Sequence, residues 1–297
     1  MAEPQRDEAA LRRLGGTGHL VYPVGFGAMG LSIDGRPIAD RARLTLEAFL
    51  DGGGNFIDTA NVYCLSDEEM GHSERLIREC ISRRADRDDI VIATKGGMRR
   101  PDGRWVADGR PEWIEKSCER SLKALGVETI DLYQLHTIDP AVPLADSVGA
   151  LVRLREAGKI RHAGLSNVTL AQVDEAAALL PIATVQNRCN AVTRTDVDSG
   201  MVLALGERGI GYLPYAPLGG HQGHRRLHQL PSLVSLAEFA GLTTYQLLLA
   251  WLLNLGDHVV PIPGATRIES THSSLDAAGV TLGAATLAAL DTLLDAE

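Results

Sequence analysis

The feature that most limits how this chain can fold is an alternation repeated eight times, in which a short β-prone apolar run is followed by a helical pattern. The strand-like runs fall at 24–28, 55–58, 90–94, 130–135, 162–165, 183–186, 211–215 and 258–262. Helical patterns follow at 40–51, 67–84, 111–125, 144–157, 169–179, 196–208, 233–255 and 268–277. The punctuation agrees with this division: Pro111 opens one helical stretch, and Gly126, Gly158 and Gly209 follow the ends of three others. Eight strands alternating with eight helices over about 250 residues is the pattern of an α/β chain folded as a (β/α)8 TIM barrel, whose site lies at the C-terminal ends of the strands.

An N-terminal β-hairpin with a Gly-rich turn is expected over 14–24, and an extra amphipathic helix over 284–295 closes the chain. With no linker and no low-complexity segment, 1–297 reads as a single domain, its charged stretch 1–13 a disordered tail. Gly25, Gly27 and Gly30 form the spacing G-x-G-x-x-G. That spacing marks a dinucleotide fingerprint only where a helix begins at the glycines, and here a loop containing Gly35-Arg36-Pro37 follows instead. Two stretches, 96–110 and 219–232, are too long for simple βα turns and are expected to cover the site.

Partners are bounded by charge. A net charge of -9 and a pI near 5.5 disfavour a nucleic-acid backbone, and no Lys/Arg cluster exceeds a pair such as Arg83-Arg84 or Arg225-Arg226. No apolar run approaches the ~18 residues of a membrane span, and the N-terminus carries no apolar core, so a cytoplasmic protein is expected. The four cysteines show no C-x-x-C spacing, and neither a metal site nor a disulfide framework is indicated. Cys64 alone adjoins a candidate site residue.

The polar residues that end the strand-like runs are Asp58, Lys95, His136, Ser166-Asn167, Gln186 and Tyr215, with Tyr63 five residues beyond Asp58. Each has an ordinary reading: Asp58 a helix cap, Lys95 a surface lysine, His136 a satisfied core histidine, Gln186 a rim hydrogen bonder, Tyr215 core packing. Arriving together at one barrel mouth they have a joint chemistry. A phenol titrates near pH ~10 and needs help to exchange a proton at neutral pH; a nearby ammonium favours the phenolate. Lys95 can supply that charge, Asp58 can hold the lysine, and His136 can donate to a carbonyl oxygen. The group suits protonation of an oxygen while hydride arrives at carbon.

Nearly the whole chain resembles the aldo-keto reductase superfamily. The likeness rests on Leu14-Gly15-Gly16-Thr17-Gly18, Gly25-Phe26-Gly27-Ala28-Met29-Gly30, Asp58-Thr59-Ala60-Asn61-Val62-Tyr63, Thr94-Lys95, Ile130-Asp131-Leu132-Tyr133-Gln134-Leu135-His136, and Gly158-Lys159-Ile160-Arg161 with Gly164-Leu165-Ser166-Asn167. It implies a reversible NADPH-dependent reduction of an aldehyde or ketone, with Tyr63 as general acid, Asp58 and Lys95 tuning it and His136 orienting the carbonyl. It also implies that Ser166, Asn167 and Gln186 hold the nicotinamide carboxamide and that Tyr215 stacks on its ring, followed by Pro217, Leu218 and Gly219. Gly264, Ala265, Thr266 and Arg267 would take the adenosine 2′-phosphate, with Gly27, Ala28, Met29, Ser270 and Ser274 as further cofactor contacts.

One departure bears on cofactor preference: Ser273-Ser274 stand where the family usually has Glu-Asn. Residues 96–112 and 139–144 are similar to bacterial pyridoxal reductase-like members, although 65–72 is not. Trp105, in the first long loop, either meets substrate or lid or packs on the rim. A different class of function, an NADPH-binding redox sensor that reports to a partner, shares the same fold; the complete tetrad argues against a dead enzyme. Members that reduce carbon-carbon double bonds carry glutamate at the place of His136.

Overall fold

A computed structural model describes residues 11–220 and 230–295. Its main sheet is parallel and contains seven strands: β3 (Phe26–Gly27), β4 (Phe56–Asp58), β5 (Val91–Gly96), β8 (Ile130–Leu135), β9 (Ile160–Ser166), β10 (Ile182–Gln186) and β11 (Gly211–Tyr212). They are laid side by side in the order β3-β4-β5-β8-β9-β10-β11. The eighth run supplies closure through backbone contacts rather than a long ladder. On one side of it, Tyr212 N donates to His258 O (2.8 Å) and Ile262 N to Pro214 O (3.1 Å). On the other, Gly25 N donates to Pro261 O and Gly27 N to Pro263 O, both at 2.9 Å. A Cβ on Gly27 would stand 2.7 Å from Ile262 O, so the seam needs glycine.

Side chains alternate across the wall with the period of a strand. Phe56, Val91, Ala93, Leu132, Leu213, Val260 and Ile262 form one apolar cluster, while Ile57, Ile92, Tyr133 and Leu135 belong to the larger layer between wall and helices. The hairpin adds Leu14 and Val21, both fully buried, to the first cluster. It therefore seals one end of the barrel. Asn55 ties it down, accepting from Tyr22 N at 2.8 Å and donating to Leu20 O at 3.1 Å.

The hairpin strands are β1 (Arg12–Arg13) and β2 (Leu20–Val21), paired antiparallel, so the chain is ordered from within the stretch expected as a tail. Arg12 explains this: its guanidinium donates to the carbonyls of Gly256, Val259 and Leu253 at 2.8 to 3.0 Å. The rest of that tail, 1–10, lies outside the described residues. Three expected helices are divided. Residues 67–84 form the 3-10 turn Asp67–Glu69 and the helix His72–Ile81, separated at Gly71 with φ 82°. Residues 196–208 form Thr195–Asp198 and Met201–Glu207 around Gly200 at φ 75°. Residues 233–255 form Pro231–Phe239 and Thr244–Leu253, where Gly241 at φ 68° ends the first and the Thr243–Gln246 capping box starts the second. That pair would reach membrane-spanning length only across a 79° bend; no single helix among the described residues does. The closing helix is present at Ala284–Asp295. As expected, no α-helix starts at the Gly25–Gly30 spacing: Ala28–Leu31 is a single 3-10 turn and the next α-helix begins at Ala39.

Candidate active site

The inward-facing residues of the central strands turn from apolar to polar as each strand rises. Phe56 gives way to Asp58 on β4, and Val91 and Ala93 to Lys95 on β5. On β8, Leu132 gives way to Gln134, and His136 follows the strand's end. The parallel register sets Asp58 beside Ala93 and Lys95 beside Gln134, so these groups converge at one level of the barrel.

Lys95 Nζ is the hub. It donates to Asp58 Oδ2 at 2.6 Å, to Thr59 O at 2.8 Å and to Tyr63 Oη at 3.2 Å, which uses all three of its protons. Asp58 Oδ1 accepts from two amides, Gln186 Nε2 at 2.7 Å and Gln134 Nε2 at 3.2 Å. Lys95 is fully buried and Asp58 2% exposed, a placement in which an ion pair persists only when its remaining hydrogen bonds are filled. His136 closes the group, its ring edge-on to Tyr63 with centroids 5.8 Å apart. Trp105 is edge-on to both, 6.3 Å from each.

Burial governs the electrostatics. It lowers the Lys95 ammonium, against the pull of Asp58. It holds Tyr63 well above the ordinary phenol range, helped by the negative charge of Asp58. This corrects the expectation that Lys95 lowers Tyr63: burial outweighs the neighbouring ammonium in the resting site, and Asp58 adds to the rise. Tyr63 is thus kept in the protonated form that a donor requires. Burial and then Lys95 depress His136 far below its usual range, so the ring is neutral, and its Nδ1 finds no partner among the described residues. Cys64 does not present a reactive thiol, since it is buried and pushed up to about 11 by burial.

Around this centre lies a rim. Ser166 ends β9, and Asn167 follows in the left-handed region at φ 58°, a conformation held by its partners. Its amide donates to His136 O at 2.9 Å and Ser166 Oγ at 3.1 Å, and its Oδ1 accepts from Tyr215 Oη at 2.8 Å. Tyr215 is thereby held half-buried beside the site, with Pro217, Leu218 and Gly219 just after it. Gln186, expected on the nicotinamide carboxamide, commits an amide proton to Asp58. Gly27, with Ala28 and Met29 following it in the chain, lies against Gly264: a Cβ on Gly264 would stand 3.3 Å from Gly27 O. Ala265 is buried there, while Thr266 and Arg267 are exposed.

Arg267 caps the helix Ile268–Asp276 in extended conformation and has no carboxylate within ion-pair distance among the described residues. Ser270 lies in the first turn of that helix, and Ser274 Oγ donates to Ser270 O at 3.0 Å. An exposed arginine at the N-cap position of a nine-residue helix suits a phosphate.

Residues 23–295 match the aldo/keto reductase family. The chain belongs to that family. It is similar to probable aldo-keto reductase 1 of Glycine max, 34% identical over 91% of this chain and 84% of that protein. Among solved structures it is similar to a glycerol dehydrogenase from Gluconobacter oxydans, with TM-score 0.84 and 27% identity over 97% of this chain and 96% of that one. An aldo/keto reductase from Klebsiella pneumoniae, in complex with NADP and acetate, superposes with TM-score 0.79 at 26% identity over 95% of each chain.

Within this aldo/keto reductase, two polar groups at the mouth escaped the sequence reading. Gln134 stands two residues before His136, which directly follows the same strand, and so faces the same interior; that period was the available signal. Arg100, only 5% exposed, stacks its guanidinium 3.9 Å from the centre of the Trp105 ring, and nothing in the sequence distinguishes it from its neighbour Arg99.

Proposed function

We propose that this oxidoreductase reduces an aldehyde or ketone to an alcohol with NADPH, Tyr63 being the proton donor. The observation that carries the reading is the single Lys95 ammonium touching both Asp58 and Tyr63 in full burial. A reduced nicotinamide coenzyme, when bound, supplies the hydride that adds to the carbonyl carbon. The chain's own residues do the rest. Tyr63 Oη gives its proton to the carbonyl oxygen as negative charge grows there, and Lys95 stabilises the phenolate left behind. Asp58, fixed by Gln134 and Gln186, keeps Lys95 charged and aimed. Neutral His136 donates one hydrogen bond to the same oxygen and adds no charge. Ser166, Asn167 and Tyr215 face the nicotinamide end, and Thr266, Arg267 and Ser270 the 2′-phosphate, which favours NADPH over NADH.

The test is NADPH oxidation followed at 340 nm across aldehydes, ketones and keto-sugars, pyridoxal included, for the wild type and Tyr63→Phe. The reading requires turnover that depends on the Tyr63 hydroxyl. Tight NADPH binding with no turnover on any of these carbonyls would instead favour a barrel that senses NADPH.

A further inference from the structure

The loop after β5 folds back as a small hairpin, β6 (Met98–Arg99) paired with β7 (Val106–Ala107), and it carries four arginines within 96–110. Three have carboxylate partners: Arg99 with Asp67 at 3.1 Å, Arg104 with Asp102 at 3.7 Å and Arg110 with Asp108 at 2.7 Å. Arg100 is the exception and also the most buried. Among the described residues no carboxylate lies within ion-pair distance of it, and its Nε is buried without an acceptor. Asp34 acts on it only at longer range, and the nearby Cys64 thiol is uncharged at neutral pH.

The position is imposed by the backbone. Arg100 N donates to Asp67 Oδ1 at 2.5 Å, and Arg100 O accepts from Asp67 N at 3.1 Å and Gly103 N at 3.2 Å. A guanidinium so held, covered by one indole and lacking a counter-charge, is costly unless an anion arrives to meet it. That indole is Trp105, whose ring stands edge-on to Tyr63 and His136. The guanidinium is therefore one ring's width from the reacting centre.

We propose that Arg100 is an anion subsite, and that the carbonyl substrate carries a carboxylate or phosphate some bonds away from the aldehyde or ketone, with Trp105 lying along the apolar stretch between the two. The proposal rests on the carbonyl-reductase reading and names the class of substrate within it. Guanidinium is suited to both anions because its planar fork donates two parallel hydrogen bonds.

Matched pairs test it: 4-carboxybenzaldehyde against 4-methylbenzaldehyde, succinic semialdehyde against butanal, and glyceraldehyde 3-phosphate against glyceraldehyde. The first two pairs report a carboxylate and the third a phosphate. Wild-type kcat/KM should favour the anionic member of at least one pair by about ten- to a hundredfold. That ratio should collapse in Arg100→Ala and survive in part in Arg100→Lys, which also covers the case of an alanine variant that folds poorly. Separately, quenching of tryptophan emission by benzoate in the absence of coenzyme should weaken in Arg100→Ala, with benzyl alcohol as the neutral control. No anion preference in the wild type, or a loss in Arg100→Ala equal for both members of each pair, would overturn the subsite and leave Arg100 as a support for Trp105. Arg100-dependent benzoate binding in a protein that reduces no carbonyl would retain the subsite while refuting the reductase reading.

Discussion

The centre of the barrel mouth and the rim at Arg267 differ in what their charged groups already have. At the centre, Lys95 has three acceptors and Asp58 three donors, all from the chain itself. At the rim, Arg267 is exposed and makes no ion pair among the described residues. A centre that must act on a proton without water has to be assembled beforehand, because a buried charge cannot wait for a partner. A rim that met a coenzyme phosphate only transiently, as proposed for Arg267, could leave its charge in solvent. Substitutions at the centre should therefore cost chemistry and stability, and those at the rim mainly affinity.

The largest effect is expected from Tyr63→Phe, which keeps the ring and removes only the proton. Carbonyl reduction should fall by a factor on the order of 10² to 10⁴ while NADPH affinity stays near that of the wild type. Near-normal turnover in a folded variant, with chemistry limiting, would end the assignment of Tyr63 as donor.

Lys95→Met sharpens the contrast by separating stability from rate. It leaves Asp58 buried with its two amides but no cation, and should cost about 3–5 kcal/mol of unfolding free energy in a urea titration. Adding Asp58→Asn removes the stranded charge and should restore part of that loss without restoring activity. Combining Lys95→Met with Tyr63→Phe should slow reduction far less than the product of the two defects, since the residues act as a unit. Independent, multiplying defects would mean that Lys95 does not work through Tyr63.

How much of this was legible in the sequence varies for physical reasons. Ile130–Leu135 and Pro111–Leu125 have the predicted boundaries because an apolar run and a Pro-to-Gly-bounded helix are local signals. Asp58, Lys95 and His136 could be placed at one level because strand ends in a parallel barrel share a face. The partners of Asp58 could not be placed so easily, because the meeting of Gln134 and Gln186 there depends on register between strands far apart in sequence. The direction of the Tyr63 shift was missed for a related reason: a list of charges omits burial. The hairpin Met98–Arg99 with Val106–Ala107 is too short to leave a periodic trace, and the isolation of Arg100 within it is visible only in three dimensions.

At the rim, Arg267→Ala should weaken NADPH binding by about ten- to a hundredfold while NADH binding changes little, the loss expected for charge-assisted hydrogen bonds to one phosphate. Fluorescence titration of both coenzymes measures it. Unfolding transitions of the two proteins without coenzyme should nearly coincide, since the side chain is exposed and unpaired. Equal losses for NADPH and NADH would remove the 2′-phosphate from its role.

Trp105 stands at the outer edge of the centre and should give the smallest effect. Its indole is 44% exposed, yet it contacts the rings of Tyr63 and His136 and covers Arg100. Edge-on ring pairs contribute about 0.5–1.5 kcal/mol each, and a ring this open adds little to folding. Trp105→Ala should therefore raise KM by several-fold to about tenfold, change kcat less, and leave the unfolding midpoint close to that of the wild type. Trp105→Phe keeps an aromatic edge and should fall between the two. A drop in kcat at constant KM would move Trp105 from the substrate wall into the proton-transfer step. Unchanged kinetics on anionic and neutral carbonyls alike would make the ring a piece of packing at the barrel mouth, and the centre would then end at Tyr63 and His136.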